Sequence, residues 1–292
     1  MIRVINADKI DPAKWDYCVT SSPNGNIYGL YSSLNAGCKS WKGIIYGDYE
    51  AVLALPIKKK FMLSYSWHPQ FMGPLGIYGK VLTPEITDGF FKAVLSNSWW
   101  IRMYYFQKTD ATKCSFIPRV HQMLDVENLS IETVRKLYNE NTRRNIKKTQ
   151  QFQFEIKPDT DINSFIGFFK KNKGEEIDTL KESSYVQLSK LMKLWLGKGN
   201  GYIRSGYVNN ELHAMAYFIL WNGVLTYYKG FSTEAGKKNG SMHFLLDREI
   251  ESNLARIHKV DFGGSNVESV ARFYKGFGGA DETYYQAESR KF

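Results

Sequence analysis

The sequence contains no hydrophobic run that could cross a membrane as a helix. Its longest unbroken apolar stretch is the eight residues 214–221, whereas a spanning helix needs about 20. The N-terminal stretch MIRVINADKIDPAKW includes acidic side chains and no long apolar segment, which argues against a secretory signal. We therefore expect a cytoplasmic protein without a transmembrane segment.

Cysteine is scarce, and the histidines show no metal-binding spacing. Cys18, Cys38 and Cys114 lie far apart and form no C-x-x-C pattern, so we expect free, buried thiols and no structural zinc. The five histidines form neither H-x-x-x-H nor H-E-x-x-H, so no metal cofactor is expected. The phosphate loop G-x-x-x-x-G-K-[ST] and the elbow G-x-S-x-G are also missing, which excludes P-loop NTPases and the commonest serine hydrolases.

The chain is instead rich in cations and in aromatic residues. It has 39 Lys and Arg against 29 Asp and Glu, a net charge of +10. Such a surface attracts nucleotides, phosphorylated small molecules, RNA or acidic lipid head groups. Aromatic residues make up 15% of the chain and could stack on bases, fill a core or line a substrate cleft. The length of 292 residues favours two domains.

Helical and strand patterns alternate along the chain, which predicts an α+β (α/β) fold. In the first half we predict a helix at 12–21, strands at 43–47 and 50–56, an ordered loop at 67–79, a helix at 84–97, and strands at 99–107 and 115–124. In the second half we predict a strand at 152–157, helices at 161–173 and 185–198, strands at 201–208, 212–221 and 224–231, a helix at 242–255, a strand at 258–262, a helix at 267–277 and a strand at 282–286.

Ser130 caps the clearest helical pattern, with Glu132 in its first turn. We predict one junction helix at 130–150 that joins an N-terminal domain at 1–129 to a C-terminal domain at 151–292. Its last turns carry a basic stripe formed by Arg143, Arg144, Lys147 and Lys148.

Residues 232–241 form a predicted loop rich in glycine and lysine, between a strand and a helix. Backbone N–H groups at the N-terminus of a helix bind phosphate oxygens, and glycines let a phosphate approach the backbone closely. Lys237 and Lys238 would strengthen that attraction. The same residues also fit an ordinary polar loop, so both interpretations stay open.

The tail combines an acid, paired glycines, aromatic residues and a lysine. Asp261 ends a predicted strand and precedes Phe-Gly-Gly, and a later helix ends in FYKGFGG. That helix presents an aromatic residue and Lys275 before a glycine stop. A structural interpretation is also open, in which Gly278 and Gly279 end the helix and Lys275 complements the helix dipole.

Taken in order, these segments resemble the Fem-type peptidyl transferases, which belong to the GNAT superfamily of N-acyltransferases. The resemblance covers most of the chain and is carried by the tail DFGG…FYKGFGG, the junction YNENTRRNIKKTQQFQFEI, the segment TYYKGFSTEAGKKNGSMHFLLDREIE and the N-terminal YSSLNAGCKSWKGIIYGDYEAVLALPIKKK. It implies two tandem GNAT-like domains, each a mixed, mainly antiparallel sheet flanked by helices. In the second domain, a splayed strand pair would open a donor cleft.

The resemblance implies direct transfer of an acyl or aminoacyl group to an amine, without a covalent enzyme intermediate. The donor would be acyl-CoA or aminoacyl-tRNA. The acceptor would be an amine-bearing small molecule, or a nucleotide- or lipid-linked peptide as in peptidoglycan synthesis. Of the acyl-CoA signature [QR]-x-x-G-x-[GA] only Gly240 is kept, so the donor stays open.

The resemblance also implies site residues. Lys275 matches a lysine that would stabilise negative charge on the reacting carbonyl. Candidate bases are Asp261, Glu175 and Glu176, each of which also fits a structural role. Candidate donor-binding residues are Phe231, Ser232, Gly236, Lys237, Lys238, Asn239, Gly240 and Ser241. Candidate acceptor-binding residues are Lys39, Trp41, Lys181, Tyr228 and Tyr274.

A non-catalytic function is the alternative hypothesis. The net positive charge, the basic stripe and the many aromatic residues also fit a protein that binds RNA or anionic nucleotides. On either hypothesis we expect His213 and His243 to be part of the scaffold.

Overall fold

The computed structural model describes residues 1–60, 62–110, 113–172, 180–264 and 268–290. The chain forms two compact units, one made of Met1–Arg119 with Thr283–Phe292 and the other of Val120–Glu282. The unit boundary therefore lies before the predicted junction helix. Most of the C-terminal strand, from Thr283 onward, belongs to the first unit, where it pairs with a strand of residues 100–105.

The first unit combines short strands with α-helices. In chain order its elements are β1 (Ile2–Asn6), α1 (Pro12–Ser21), α2 (Tyr31–Gly37), β2 (Trp41–Tyr46), β3 (Ala51–Pro56), β4 (Lys58–Lys60), β5 (Leu63–Trp67), β6 (Tyr78–Gly79), α3 (Pro84–Asn97) and β7 (Trp100–Tyr105). Two strands, β8 (Ser115–Asp125) and β14 (Ala280–Arg290), have residues in both units. One sheet has the order β1-β2-β3-β6, and β4, β5, β7 and β14 are neighbours in a second sheet.

Side-chain caps explain where the helices of the first unit begin. Asp11 Oδ1 accepts hydrogen bonds from the backbone N–H groups of Ala13 and Lys14 at 2.9 and 3.2 Å. Thr83 caps α3 in the same way, and Pro84 then occupies the first turn. These starts confirm the helices predicted at 12–21 and 84–97.

The second unit carries long antiparallel strands covered by helices. Its elements are α4 (Ile131–Leu137), α5 (Glu140–Thr149), β9 (Phe154–Asp159), α6 (Ile162–Asn172), α7 (Glu182–Gly197), β10 (Gly201–Val208), β11 (Glu211–Trp221), β12 (Val224–Ser232), α8 (Glu234–Asn239), α9 (Ser241–Asn253), β13 (Lys259–Asp261) and α10 (Glu268–Gly276). The strand order is β8-β13-β12-β11-β10-β9, and the neighbours are antiparallel except for the parallel pair β12 and β13.

The predicted junction helix is in fact two helices. Helix α4 ends at Leu137 because Tyr138 has an extended backbone and a buried ring, 5.0 Å from that of Phe277. Asn139 then starts α5, with its Oδ1 accepting the Thr142 N–H at 2.8 Å. The predicted basic stripe lies along α5, and its four cationic side chains are exposed.

Helix α4 is held against α9 by a buried ion pair. Arg135 Nε and Nη2 donate to the two carboxylate oxygens of Asp247 at 2.9 and 2.8 Å. The Asp247 side chain is fully buried, while Arg135 also reaches Glu251 at 2.9 Å. This bidentate contact stabilises the packing of α4 against α9. The first turn of α9 borders the site described below.

The cysteines are free thiols, as predicted, but only Cys18 is buried, while Cys38 and Cys114 are partly exposed. Burial raises the pKa of Cys18 to about 11 and that of Cys114 to about 11. Among the described residues, no helix is long and apolar enough to cross a membrane. Within the same ranges, no cluster of His, Cys, Asp or Glu side chains is placed to hold a metal ion.

Candidate active site

The parallel pairing of β12 with β13 covers only the first residues of β12. Strand β13 pairs with Val224–Thr226 and ends at Asp261. Strand β12 continues to Ser232, and in the described part of the chain no other strand pairs with that edge beyond Thr226. We call the space beside this unpaired edge the gap; the splayed strand pair expected from the sequence stays a prediction.

Aromatic side chains line the gap. The ring of Tyr227, on β12, lies 6.4 Å from that of Phe273 and 6.1 Å from that of Tyr274, both on α10. Phe262, directly after β13, stacks on Tyr274 with 5.8 Å between ring centroids and 17° between planes. These rings belong to, or pack against, the hydrophobic core of the second unit. We call this aromatic cluster with its two phenol groups the candidate cleft; among apolar groups, polar interactions are stronger than in water.

The phenols of Tyr227 and Tyr274 are neutral hydrogen-bonding groups. Burial raises the pKa of Tyr227 well above its ordinary value, and burial also raises that of Tyr274. A Cβ atom added to Gly230 would lie 2.2 Å from Tyr227 Oη, so this phenol extends along the free edge of β12. Both phenols can donate to an oxygen atom of a ligand in the gap.

Asp261 is the last residue of β13 and lies next to the gap. Its Oδ1 accepts the backbone N–H of Gly263 at 2.7 Å. Burial raises the pKa of Asp261, while His121 and Lys259 act in the opposite direction. His121 is itself buried, with Nε2 3.6 Å from a carboxylate oxygen of Glu282. Asp261 is thus a stronger base than an exposed carboxylate.

Lys275 lies outside the aromatic cleft. Its Nζ forms an ion pair with Asp281 Oδ2 at 2.7 Å, and the lysine side chain is 51% exposed. Asp281 also accepts a hydrogen bond from Gln122 Nε2 at 2.9 Å, and this bond, followed by the bond from Lys275, lowers the pKa of Asp281. The tail motif therefore directs Tyr274 toward the cleft and Lys275 toward the surface.

The predicted phosphate-binding loop is folded as α8 and the first turn of α9. Thr233 Oγ1 caps α8 by accepting the Gly236 N–H at 3.1 Å. Asn239 Oδ1 accepts the backbone N–H of Ser241 at 3.2 Å, and Asn239 Nδ2 lies 2.7 Å from His213 Nδ1. Because Asn239 and Ser241 are buried and bonded within the protein, the structure does not present them to a donor. His213 has the scaffold role expected for it.

The glycines of this segment serve close packing. A Cβ atom at Gly236 would lie 1.9 Å from the carbonyl oxygen of His213. Gly240 has a φ of +79°, and a Cβ atom there would lie 2.6 Å from the Asn145 carbonyl oxygen. These contacts place α8 against β11 and the start of α9 against α5, so neither glycine is needed for phosphate approach in this structure.

Two predicted donor-binding residues lie at the end of β12. Phe231 is buried, and its ring lies 5.9 Å from the rings of Phe165 and Phe168 on α6. Ser232 is half-buried, and its register partner on β11 is Ala214. Phe231 thus packs against α6, on the face of the sheet that α6 covers.

Exposed cations from α5 and α8 form a patch that we call the basic surface. Lys148 Nζ donates to the carbonyl oxygen of Lys238 at 2.7 Å, and Lys237 pairs with Glu234 at 2.6 Å. The basic surface consists of Arg143, Arg144, Lys147, Lys148, Lys237 and Lys238. The basic surface lies next to the start of α9. It therefore offers positive charge to an anionic ligand bound near that helix.

The predicted acceptor residues of the first unit differ in exposure. Lys39 is exposed between α2 and β2. Trp41 is buried, with its ring 5.1 Å from that of Trp15 and its indole N–H donating to Asn35 Oδ1 at 2.8 Å. Trp41 is therefore part of the core, and the structure does not present it as an acceptor contact.

In the second unit, Lys181 is exposed immediately before α7, while Tyr228 is buried with its ring 5.0 Å from that of Trp195. Tyr228 therefore packs under α7 and does not line the cleft. Glu175 and Glu176, proposed as bases, lie outside the described residues.

Sequence reasoning missed several residues of the site. Tyr227 stands beside the predicted Tyr228, but a register shift in the pairing of β11 with β12 decides which ring faces the cleft. Lys229 is half-buried, and burial lowers its pKa to about 8. His121 approaches Asp261 only through the pairing of β8 with β13. The family resemblance of the segment TYYKGFSTEAGKKNGSMHFLLDREIE is the signal that pointed to this strand.

Comparison with known proteins gives structural matches only. No family model matches the sequence, and no curated protein matches it either. The crystal structure of FemX is similar, with a TM-score of 0.72 and 11% identity over 97% of this chain and 96% of that one. A tandem GNAT protein from the clavulanic acid biosynthesis pathway has a TM-score of 0.55 and 7% identity, with coverages of 99% and 98%. L-PGS from Bacillus licheniformis has a TM-score of 0.53 and 13% identity, with coverages of 96% and 92%.

The chain therefore has the fold of the tandem GNAT-like proteins. Within that class it is similar to FemX along nearly its whole length, which confirms the Fem-like fold expected from the sequence. At these identities the likeness establishes the fold, and the chemistry must be argued from the site itself.

Proposed function

We propose that this protein is an N-acyltransferase, which moves an acyl or aminoacyl group from an activated thioester or ester to an amine. The observation that supports the proposal is the edge of β12 beyond Thr226, which no described strand pairs with after β13 ends at Asp261. An extended donor in this gap would hydrogen-bond to the free edge of β12 as an added strand. Its carbonyl group would then lie beside Tyr227 and Tyr274.

The proposed reaction is direct attack of the amine on the donor carbonyl. A C–N bond forms, and the C–S or C–O bond to the leaving group breaks. The leaving thiolate or alkoxide takes up one proton, and the second proton lost by an ammonium acceptor goes to a base. Holding both reactants in one cleft supplies much of the rate enhancement, because the attack becomes effectively intramolecular.

Asp261 and Tyr274 have complementary roles in this proposal. Burial raises the pKa of Asp261 and so makes it a better proton acceptor. The neutral phenol of Tyr274 can donate to the oxyanion that develops on the carbonyl. Lys275, which the family resemblance assigns to the oxyanion, is paired with Asp281 in this structure, so the geometry favours the phenol.

The donor class follows from the basic surface. Acyl-CoA and aminoacyl-tRNA both carry phosphates that exposed Lys and Arg side chains attract. The acceptor is proposed to be an amine-bearing small molecule or a nucleotide- or lipid-linked peptide, with Lys39 and Lys181 as candidate contacts for its anionic groups.

The test is a transfer assay with radiolabelled acetyl-CoA and with radiolabelled aminoacyl-tRNA, each offered a nucleotide-linked muropeptide and simple amines. Gly230→Ala should lower transfer by about 10- to 100-fold, because the new methyl group displaces the Tyr227 phenol. Gly167→Ala is the matched control, since a Cβ atom there meets nothing within 4 Å. Absence of transfer from both donors to all acceptors would remove the support for catalysis by this cleft.

A non-catalytic binding function is the second candidate, and the basic surface favours it. Binding of RNA through these cations should weaken as salt rises, with a slope set by the number of phosphates neutralised. Arg143→Gln with Lys147→Gln should reduce that slope. RNA binding without any transfer would favour the binding function, and salt-dependent binding of charged tRNA together with transfer would favour the enzyme.

A further inference from the structure

One face of the sheet in the first unit is aromatic and basic. Along β5 and β7, alternate residues point to opposite faces, and the register places Tyr65 beside Trp100 and Trp67 beside Arg102. Strand β14 adds Arg290 opposite Trp100. We call these residues the outer face: Tyr65, Trp67, Trp100, Arg102 and Arg290.

The opposite face of the same strands is the one that forms a core. Ile101, Met103 and Tyr105 are buried, and the Tyr105 ring lies 5.6 Å from that of Phe91 on α3. The inner face therefore accounts for the packing of β7. The aromatic residues of the outer face contribute to an exposed surface.

Large apolar side chains at this end of the sheet are in contact with solvent. Trp100 is 41% exposed, and its ring packs edge-on against that of Trp67 at 5.2 Å. Met62, directly before β5, is 99% exposed, and Leu63, the first residue of β5, is 46% exposed. A cluster of this kind is a mark of an interaction surface.

Cations surround these apolar groups. The guanidinium of Arg102 lies 5.3 Å from the Trp67 ring centre, and that of Arg290 lies 5.7 Å from the Trp100 ring centre. Lys58 is exposed on the edge strand β4 and pairs with Tyr65, so it belongs to the outer face, whereas Lys59 pairs with Ser64 on the opposite face. Glu288 pairs with Arg102 at 3.2 Å and is the acid described on this face.

We propose that the outer face, with Met62, Leu63 and Lys58, docks on the surface of an anionic lipid bilayer. Tryptophan prefers the interface between head groups and acyl chains, and exposed Met and Leu side chains can enter the acyl region. Lys and Arg are attracted by the negative head groups. The inference does not depend on the proposed acyltransferase activity.

A membrane fits this surface better than RNA does. Both indole rings already have a guanidinium over them, so they are not open stacking platforms for bases. Exposed Met62 and Leu63 provide apolar area that a phosphate backbone cannot use. The basic surface of the second unit, made of cations alone with no large apolar group among them, is the better match for RNA.

The test is co-sedimentation of the full chain with vesicles of phosphatidylcholine, with and without phosphatidylglycerol. We expect binding only when phosphatidylglycerol is present. Lys58→Gln with Arg290→Gln should weaken binding by about 30-fold, at about one factor of five per cation. Met62→Ser with Leu63→Ser should weaken binding at a salt concentration where electrostatic attraction is screened.

The matched control is Arg143→Gln with Lys147→Gln, which removes the same charge from the basic surface and should leave vesicle binding unchanged. Thermal unfolding of each variant checks that it is folded. Equal loss of binding in both double variants would reduce the effect to net charge and overturn the proposal. Failure of the unaltered chain to bind, or an RNA affinity that depends on Lys58 and Arg290, would also overturn it. None of these outcomes bears on transfer activity, since no donor or acceptor is present.

Discussion

Acid should destabilise this protein through His243, and replacing that residue should remove the effect. The His243 ring lies between two rings of the candidate site, 4.8 Å from Phe273 and 5.8 Å from Phe277. Burial lowers the pKa of His243 to about 4, from an ordinary value of 6.5. His243→Phe keeps an aromatic ring in this position and removes the titrating group.

The sign follows from the two pKa values. In the unfolded chain the imidazole takes up a proton below pH 6.5, whereas in the folded protein it does so only near pH 4. The stability contributed by the neutral ring is therefore present above pH 6.5 and is lost as the pH falls through the window between these values. Between about pH 7 and about pH 5, the free energy of unfolding should fall by about 2 kcal/mol through this residue alone.

Urea unfolding of the two proteins at both pH values measures this quantity. The larger phenylalanine ring can cost some packing energy at every pH, so the comparison is between the pH-dependent losses and not between absolute stabilities. His258→Gln is the control, because His258 is exposed. If His243→Phe loses as much stability between the two pH values as the unaltered protein, the imidazole is not titrating as its burial requires, and the reasoning fails.

Three further predictions concern stability. Asp261→Asn should raise the melting temperature near neutral pH and have little effect in acid. Burial raises the pKa of this carboxyl, so its charged form, which is present near neutral pH, destabilises the folded protein. Equal changes in melting temperature at both pH values would contradict this. Arg135→Met should destabilise by about 3–5 kcal/mol, since it leaves a buried carboxylate without its bidentate partner, whereas Lys170→Met, at an exposed ion pair, should change unfolding by less than about 1 kcal/mol. Gly240→Ala should destabilise more than Gly199→Ala in chemical unfolding, because both have positive φ but only the added methyl group at Gly240 meets a carbonyl oxygen.

The sequence predicts most elements of the fold because local signals set their ends. Asp11 and Thr83 cap helices, and Asn222-Gly223 turns one hairpin strand into the next with positive φ at both residues. The junction helix was wrong because Tyr138 is required in the core next to Phe277, and that tertiary contact overrides a continuous helical pattern. The pairing of β14 with β7 could not be predicted from local patterns either, since it joins residues that are far apart in the chain.

The site is predictable in part. The tail and the strand TYYKGF were singled out by their resemblance to the Fem-type enzymes, and their assignment to the site stays a prediction. Their roles were not predictable, since one register shift in the pairing of β11 with β12 decides whether Tyr227 or Tyr228 faces the cleft. Asn239 and Ser241 fit a phosphate loop in sequence, but their side chains satisfy each other and His213.

The assignment of the oxyanion donor depends on the geometry of α10. Consecutive residues of a helix point about 100° apart, so Tyr274 and Lys275 point in different directions. Stacking on Phe262 directs Tyr274 inward, and the Asp281 carboxylate, itself fixed by a hydrogen bond from Gln122, holds Lys275 outward.

This geometry predicts that Tyr274→Phe lowers turnover by about 100-fold, whereas Lys275→Met and Asp281→Asn have small and equal effects. The family resemblance predicts the reverse, in which Lys275→Met lowers turnover by about 100-fold and Asp281→Asn, which frees the lysine, does not. Turnover numbers of the three variants with saturating donor separate the two assignments. A large loss in Lys275→Met alone would show that α10 must rotate when substrates bind, because the lysine cannot reach the cleft from its position beside Asp281.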